Sequence, residues 1–248
     1  MITEYLLPDS AERAVAELAG GATIMAGGTT VMPAVHAGSL DHERVVGLAR
    51  AGLDRVERSS GRTTLGAMVP LSTVATLDGV PALSAAAAGV GGPALRNMAT
   101  VGGNLLVGAP HGDVGVALLA LDASVQLSSR TVPLQELWTS FDPRSEIVVS
   151  VSFEDDPASV FLRWARRAAN SPAVVSVAVS RGCVALGGVA PHPVRSPGAE
   201  ASFEDPEAAG AAALEEVDPP TDPVASSWYR KRMTALFVQR ALEASHAV

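Results

Sequence analysis

Two short glycine-rich segments carry the residues with the clearest chemistry. The first is Ala26-Gly27-Gly28-Thr29-Thr30 and the second is Thr100-Val101-Gly102-Gly103-Asn104. Each follows an apolar stretch, and Pro33 or Pro110 lies shortly after. Glycine lets a main chain approach a ligand closely and present successive N–H groups in a tight turn. Such a turn, finished by hydroxyls at a helix start, complements a diphosphate. A single Gly-Gly-Thr turn is more often a turn with a helix cap. Two of them, with Asp113 nine residues after Asn104, predict paired walls around one diphosphate and hence a nucleotide cofactor. Asn104 adds an amide that both donates and accepts. Asp113 is repelled by phosphate but suits ribose hydroxyls, as acidic residues do in other dinucleotide sites.

Other chemistries find little support. Gly89-Val90-Gly91-Gly92-Pro93-Ala94 fits G-x-G-x-x-A, yet it follows an alanine-rich helix rather than a strand. No G-x-x-x-x-G-K-[ST], H-E-x-x-H or G-x-S-x-G pattern is present. His36, His42, His111, His192 and His246 are scattered and read as surface or core residues rather than metal ligands. His111 stands out because it continues the second glycine segment. Cys183 is the one cysteine. It forms no internal disulfide, holds no iron–sulfur cluster alone, and reads as a small buried apolar residue.

The elements that must position these residues follow from pattern. The chain has 248 residues, 48% of them hydrophobic and 18% charged, enough for one large domain or two modest ones. A net charge of -8 argues against a nucleic-acid partner, although Arg163, Arg166 and Arg167, and Arg230, Lys231 and Arg232, gather locally. No basic segment precedes an apolar run at the start, and no stretch approaches the ~20 apolar residues of a membrane span. A cytoplasmic protein without a membrane partner is the expectation.

Residues 9–20 read as a helix with an Asp9/Glu12 capping box. Strand candidates at 22–26 and 44–49, with a helical turn at 30–37, make the first 50 residues β-α-β-loop-α-β. A hairpin is expected around Ser59-Ser60-Gly61-Arg62. Helices follow at 71–77 and 83–88, the second broken by the glycines and Pro93 of residues 89–97. A helix at 113–121 leads to strands at 123–128 and 146–153. Glu154-Asp155-Asp156-Pro157 marks a boundary. Beyond it come a strand at 160–166 and a hairpin turning at Arg181-Gly182. Residues 191–206 read as irregular. A helix follows at 207–217, then a longer one at 226–245 with Tyr229, Met233, Leu236, Phe237 and Leu242 mostly on one side. Arg230, Lys231 and Arg232 read as its solvated face.

At these residues the sequence resembles the FAD-binding medium subunit of molybdenum hydroxylases, the group that includes xanthine dehydrogenase and carbon monoxide dehydrogenase. The resemblance lies in Met25-Ala-Gly-Gly-Thr-Thr-Val-Met-Pro33 and, more specifically, in Arg96-Asn-Met-Ala-Thr-Val-Gly-Gly-Asn104. The second stretch runs on to Pro110, Asp113 and Ala117-Leu-Leu-Ala-Leu-Asp-Ala123. Weaker echoes in 146–152, 173–179 and the last helix carry it over nearly the whole chain. The resemblance implies an α+β chain. Two subdomains, about 1–52 and 53–156, form an FAD-binding fold of the vanillyl-alcohol oxidase (PCMH) type. A small α+β C-terminal domain with a three-stranded sheet then covers 157–248.

By the same resemblance Ile24, Met25, Ala26, Gly27, Gly28, Thr29, Thr30 and Val31 hold the diphosphate of FAD, and Thr100, Val101, Gly102, Gly103 and Asn104 form the other wall. Asp113 lies near the ribose or adenine end, and Val90 lies by the flavin ring. Val148 and Arg163 are further contacts. Three departures stand out. Thr30 or its neighbour replaces the Asp, Ser or His of many relatives. Arg163 replaces a frequent lysine, and a planar fork is not an ammonium. Arg167-Ala-Ala-Asn-Ser-Pro172 lacks an acidic residue common there. The chain is short for the family, with residues 191–223 the expected place of trimming.

The implied function is that of an oxidoreductase subunit. It would take electrons from iron–sulfur clusters on a 2Fe–2S small subunit, fed by a molybdopterin-binding large subunit, and pass them to an external acceptor. The single cysteine fits that division of labour. A stand-alone FAD-dependent oxidoreductase acting on a small molecule is the alternative, and a scaffold that has lost FAD is a third.

Overall fold

Glycine turns and proline starts cut this chain into short elements, so its strands and helices acquire order only by stacking on one another. The computed structural model describes residues 2–40, 43–109, 111–167 and 170–247. Pro110, His42, and Ala168 and Ala169 of the stretch after Arg167 lie outside the described residues.

The first unit runs β1 (Glu4–Leu6), α1 (Ala11–Leu18), β2 (Thr23–Met25), α2 (Val31–His36) and β3 (Arg44–Gly47), the expected order. Its strands form a parallel sheet ordered β1-β3-β2. Parallel neighbours need crossovers. Helix α1 is one of them, burying Ala14 and Leu18 with Val46, Leu48 and Ile147. Its cap differs from expectation. Ser10, in extended conformation, accepts from the Arg13 N–H at 3.2 Å. Glu12 then falls at the second helical position, one short of the reciprocal bond of a capping box. Asp9 instead pairs with Arg13 at 2.7 Å on the surface.

The second unit opens with a hairpin of β4 (Val56–Ser59) and β5 (Arg62–Gly66), turned by Ser60 and Gly61 at φ 52° and 77°. Five helices follow: α3 (Leu71–Val74), α4 (Pro81–Ala88), α5 (Pro93–Met98), α6 (Val101–Leu105) and α7 (Asp113–Ala120). Strands β6 (Ser124–Leu127) and β7 (Thr131–Pro133), helix α8 (Leu134–Ser140) and strand β8 (Val148–Glu154) complete it. The five strands pair in the order β4-β5-β8-β6-β7, every pair antiparallel.

Three features of this unit depart from expectation. Pro93 not only ends the preceding helix but opens α5, at a position where a missing N–H costs nothing. The second glycine segment is helix α6, capped by Thr100, rather than an open loop. Strand β7 and helix α8 were not foreseen, although Leu134, Leu137, Trp138 and Phe141 have helical spacing. Every residue of α7 is buried, as befits a helix apolar on all sides.

The third unit contains β9 (Val160–Ala165), β10 (Ala173–Ser180), β11 (Cys183–Gly187), β12 (Val194–Arg195), α9 (Pro197–Ala201), α10 (Pro206–Glu216) and α11 (Ser227–His246). Strands β9, β10 and β11 are the three expected antiparallel strands, and two-residue β12 extends the edge. Arg181 and Gly182, at φ 46° and 83°, turn the β10–β11 hairpin. Strand β10 is buried along its whole length, covered by α7 and α11. Phe161, Ala178 and Ala185 thereby share one core with Val116 and Leu118 of α7. Cys183 is half-buried rather than buried. Strand β12 and helix α9 occupy a stretch expected to be irregular.

Helix α11 buries Arg230, Thr234, Phe237, Val238, Ala241 and Leu242, so the buried stripe is rotated from the expected one. Arg230, expected on the solvated face, is 1% exposed. It donates to both oxygens of Asp222 at 2.8 and 2.7 Å, to Gly188 O at 3.0 Å and to Val174 O. A planar fork finds partners inside where an ammonium would not.

Candidate functional site

The two glycine segments meet. Gly27 comes so close to the end of α5 that a Cβ there would lie 1.6 Å from Met98 O. Gly28, at φ +72°, then turns the chain into α2. Two adjoining cavities flank this contact. The larger, about 470 Å³, is lined by Ile24, Ala26, Gly27, Gly28, Thr29, Thr30, Val31, Thr100, Gly102, Gly103 and Val148. Leu48, Ala67, Trp138, Phe141 and Ile147, unforeseen from sequence, complete its mostly apolar wall. The second, about 330 Å³, is lined by Val90, Asn104, Asp113 and Arg163, with His111, Asn170, Ser171 and Pro172. Thr29, Thr30, Gly103 and Val107 face both. Met25 and Val101 line neither cavity: Met25 lies in β2, and Val101 is fully buried in the core.

The first segment has free donors. Among the described residues, the backbone N–H groups of Gly27, Gly28, Thr29 and Thr30 donate to no carbonyl, and the Thr29 and Thr30 hydroxyls make no hydrogen bond. Among the described residues, no carboxylate lines the larger cavity. Such an array, left unpaired at a cavity wall, fits a polyanionic oxygen cluster.

The second segment behaves differently from the expected amide wall. Its N–H groups are already used: Val101 donates to Val69 O at 3.0 Å, Gly102 to Ala67 O at 2.8 Å and Asn104 to Thr100 O at 2.9 Å. Gly103 donates to the Thr100 hydroxyl at 3.2 Å. This segment therefore presents a smooth helical surface. The Asn104 side-chain amide remains an open donor, since Asn104 Oδ1 accepts from Val114 N at 3.2 Å.

Asp113 and Arg163 face each other across the second cavity, with Arg163 Nε 3.4 Å from Asp113 Oδ2. Burial pushes the Asp113 carboxyl above its ordinary range, while the Arg163 charge, the Ser176 hydroxyl and His111 pull it back. Arg163 also donates to Gly89 O at the end of α4 and to Ser171 O at 2.7 Å. It thus ties β9 to two other walls, a task that a lysine's single ammonium performs less well. Val90 and Asp113, far apart in sequence, line the same cavity. The fold brings the end of α4 and the start of α7 together there.

Glu146 fixes the rim of the larger cavity. It accepts from Arg130 at 2.9 and 3.1 Å and from Ser129 at 2.6 Å. The Arg130 hydrogen bonds above all hold its carboxyl at about 2. Phe141, Pro143, Ile147 and Val148 on either side of this knot face the cavity. Trp138 is locked in turn by donating to Leu105 O at 2.7 Å and by stacking on His192 at 5.3 Å.

Comparison with known proteins agrees with this architecture. The profile of the family described as the FAD binding domain in molybdopterin dehydrogenase matches residues 1–153, and that of the CO dehydrogenase flavoprotein C-terminal domain matches residues 161–245. The chain is 30% identical to the 6-hydroxypseudooxynicotine dehydrogenase complex subunit alpha of Paenarthrobacter nicotinovorans, over 96% of this chain and 93% of that one. It is 27% identical to the xanthine dehydrogenase FAD-binding subunit of Escherichia coli O157:H7, over 89% and 87%. Its fold matches a chain of carbon monoxide dehydrogenase from Hydrogenophaga pseudoflava with a TM-score of 0.89 and 26% identity, over 98% and 97%. With a row of free donors where two cavities adjoin and its family's profile running through both glycine segments, this chain belongs to the FAD-binding flavoproteins of the molybdopterin dehydrogenases.

Proposed function

We propose that FAD lies across the two cavities and that the chain serves as the flavin-bearing subunit of a molybdenum hydroxylase. It would receive electrons from iron–sulfur clusters on one partner and deliver them to an external acceptor. The observation that carries the site assignment is the row of unpaired N–H and hydroxyl groups at residues 27–30, placed where the cavities join. These groups hold the diphosphate. The apolar cavity behind Val148 takes the adenine. The second cavity suits the hydrogen-bonding edge of an isoalloxazine, with Asn104 donating and Arg163 supplying positive charge. Asp113 accepts from the hydroxyls of the chain that joins ring to phosphate, and Val90 packs on the ring. FAD supplies the redox chemistry when bound; the protein supplies position and electrostatics.

The relatives are described as subunits of complexes or as medium chains. A molybdopterin-binding large subunit and a 2Fe–2S small subunit are the partners we assign. A 2Fe–2S cluster held by cysteines must lie on another chain, because Cys183 is the one cysteine here. No helix among the described residues is long and apolar enough to cross a membrane. We place the domain division at 156/157, with α7 and β10 as the shared seam.

Purified protein is expected to carry stoichiometric FAD and to regain it after stripping. Colourless material that takes up no FAD would overturn the assignment. Isolation from the source organism is expected to bring the two partner subunits along. A chain recovered alone that oxidises a small substrate by itself would replace the subunit reading with a stand-alone flavoenzyme.

A further inference from the structure

We propose that a groove between β9 and the start of α11 docks an acidic segment of a partner protein, anchored by an apolar or aromatic side chain. The groove measures about 510 Å³ and is lined by Trp164, Arg166, Val174, Val224, Trp228 and Tyr229. It shares no lining residue with the two cofactor cavities. Trp228 is 65% exposed and Trp164 is 40% exposed. Two of the three tryptophans in a chain with 4% aromatic residues thus face water in one place. Large aromatic surfaces left exposed together mark a contact site, because burying each removes much apolar area at little rotamer cost.

The walls are pre-set. Trp164 Nε1 donates to the Tyr229 hydroxyl at 2.9 Å, and its ring leans on Phe237 at 6.1 Å. Asp222 accepts from Val224 N at 2.8 Å and Ala225 N at 3.0 Å, and is itself gripped by buried Arg230. The loop wall is therefore ordered before anything binds, which lowers the entropy cost of association. This also explains why a helix carries a guanidinium inside.

Charge selects the occupant. Arg232 lies over the Trp228 ring, 5.2 Å from its centroid, and Arg166 reaches only Pro223 O at 3.4 Å. Neither makes an ion pair among the described residues, whereas Arg163 and Arg230 nearby do. In a chain of net charge -8 these are unpaired cations against the prevailing sign. They complement carboxylates flanking an apolar anchor, an arrangement that sets specificity and association rate. Arginine beside tryptophan also suits single-stranded nucleic acid. A long polyanion would meet the chain's overall negative field beyond this small patch, so a short acidic protein segment fits better.

The placement links docking to the cofactor. Successive residues of a strand point to opposite faces. On β9, Arg163 faces the second cofactor cavity and Trp164 faces the groove. An occupied groove would brace the strand whose arginine holds that cavity together.

The partner is taken from the reading that this chain works in a complex, and the test keeps the two apart by scoring FAD content separately. Tagged wild type, Trp228→Ala, Arg232→Glu and Arg232→Lys are expressed in the source organism. The dissociation constant between each chain and its co-purified subunits is measured at several salt concentrations. The expected result is unchanged FAD stoichiometry in all four. Dissociation constants should rise at least tenfold in Trp228→Ala and Arg232→Glu, and Arg232→Lys should stay near wild type. Salt should weaken the wild type and affect Arg232→Glu less. Equal dissociation constants in all four would overturn the proposal. So would dimers of the isolated wild type that the variants lose, which would assign the groove to a second copy. Binding of an oligothymidylate or of phosphatidylserine vesicles that depends on Trp228, with the complex intact, would overturn it as well.

Discussion

Gly103→Asp separates a nucleotide site from an ordinary turn. Gly103 faces both cavities, and a Cβ built on it meets only the Thr100 hydroxyl at 3.1 Å and Ala26 Cβ at 3.8 Å. The fold therefore accepts a side chain there with a slight shift. Gly103 is the third residue of α6 after the Thr100 cap, a position at which an acidic side chain favours a helix. The variant should consequently melt within about 1 kcal/mol of wild type. Its carboxylate would stand beside Ala26 and Gly27. At about 5 Å from one phosphate charge and an effective dielectric of ~20, repulsion is roughly 3 kcal/mol. Two phosphate charges give about 6 kcal/mol, or on the order of a 10⁴-fold rise in Kd. Flavin-fluorescence titration of the apo protein measures this, with thermal melting as the control for folding. Gly103→Asn, nearly isosteric and neutral, should lose far less. FAD binding by Gly103→Asp within tenfold of wild type would refute the placement of the diphosphate. Equal loss in the Asp and Asn variants would show that crowding, not charge, is responsible.

Two further outcomes follow from titration. Glu146 is held at about 2 against an ordinary 4.5, chiefly by the Arg130 hydrogen bonds. A depressed folded value means that its stabilisation is complete above the ordinary value and fades as pH falls towards 2. Glu146→Gln should lose roughly 1.5–3 kcal/mol at neutral pH and show a weaker acid transition; melting curves that stay parallel to wild type across that range would contradict this. Asp113 has the opposite sign, since burial raises it above 3.8. Apo stability from this group is complete below that value and is lost as pH rises through the raised one. Asp113→Asn should flatten this decline in apo melting temperature and weaken FAD by about 1–3 kcal/mol through lost charged hydrogen bonds. Unchanged FAD affinity on titration would remove Asp113 from the site.

Local chemistry alone made much of this molecule readable. Ser60-Gly61 and Arg181-Gly182 turn hairpins with a glycine at the second central position, where positive φ carries no Cβ penalty. The unbroken apolar run of α7 predicts a helix, and its burial follows from having no polar face. The glycine at position 27 is demanded locally, since only glycine permits its close approach to Met98 O. The residue types and spacing of the two glycine segments also carry the family resemblance.

Other properties were settled only when distant segments met. Whether an amide is free depends on which carbonyl reaches it. Ala67 O, Val69 O and the Thr100 carbonyl and hydroxyl take the N–H groups of residues 101–104, while those of residues 27–30 stay open, although the two segments look alike in sequence. Val90 and Asp113 share a cavity because α4 and α7 pack side by side, a contact that no local period encodes. Arg230 reads as a surface cation until Asp222, Val174 and Gly188 close around it. Composition and spacing report what each residue can do. Long-range packing decides which of those capacities is already spent inside the protein and which remains for a ligand.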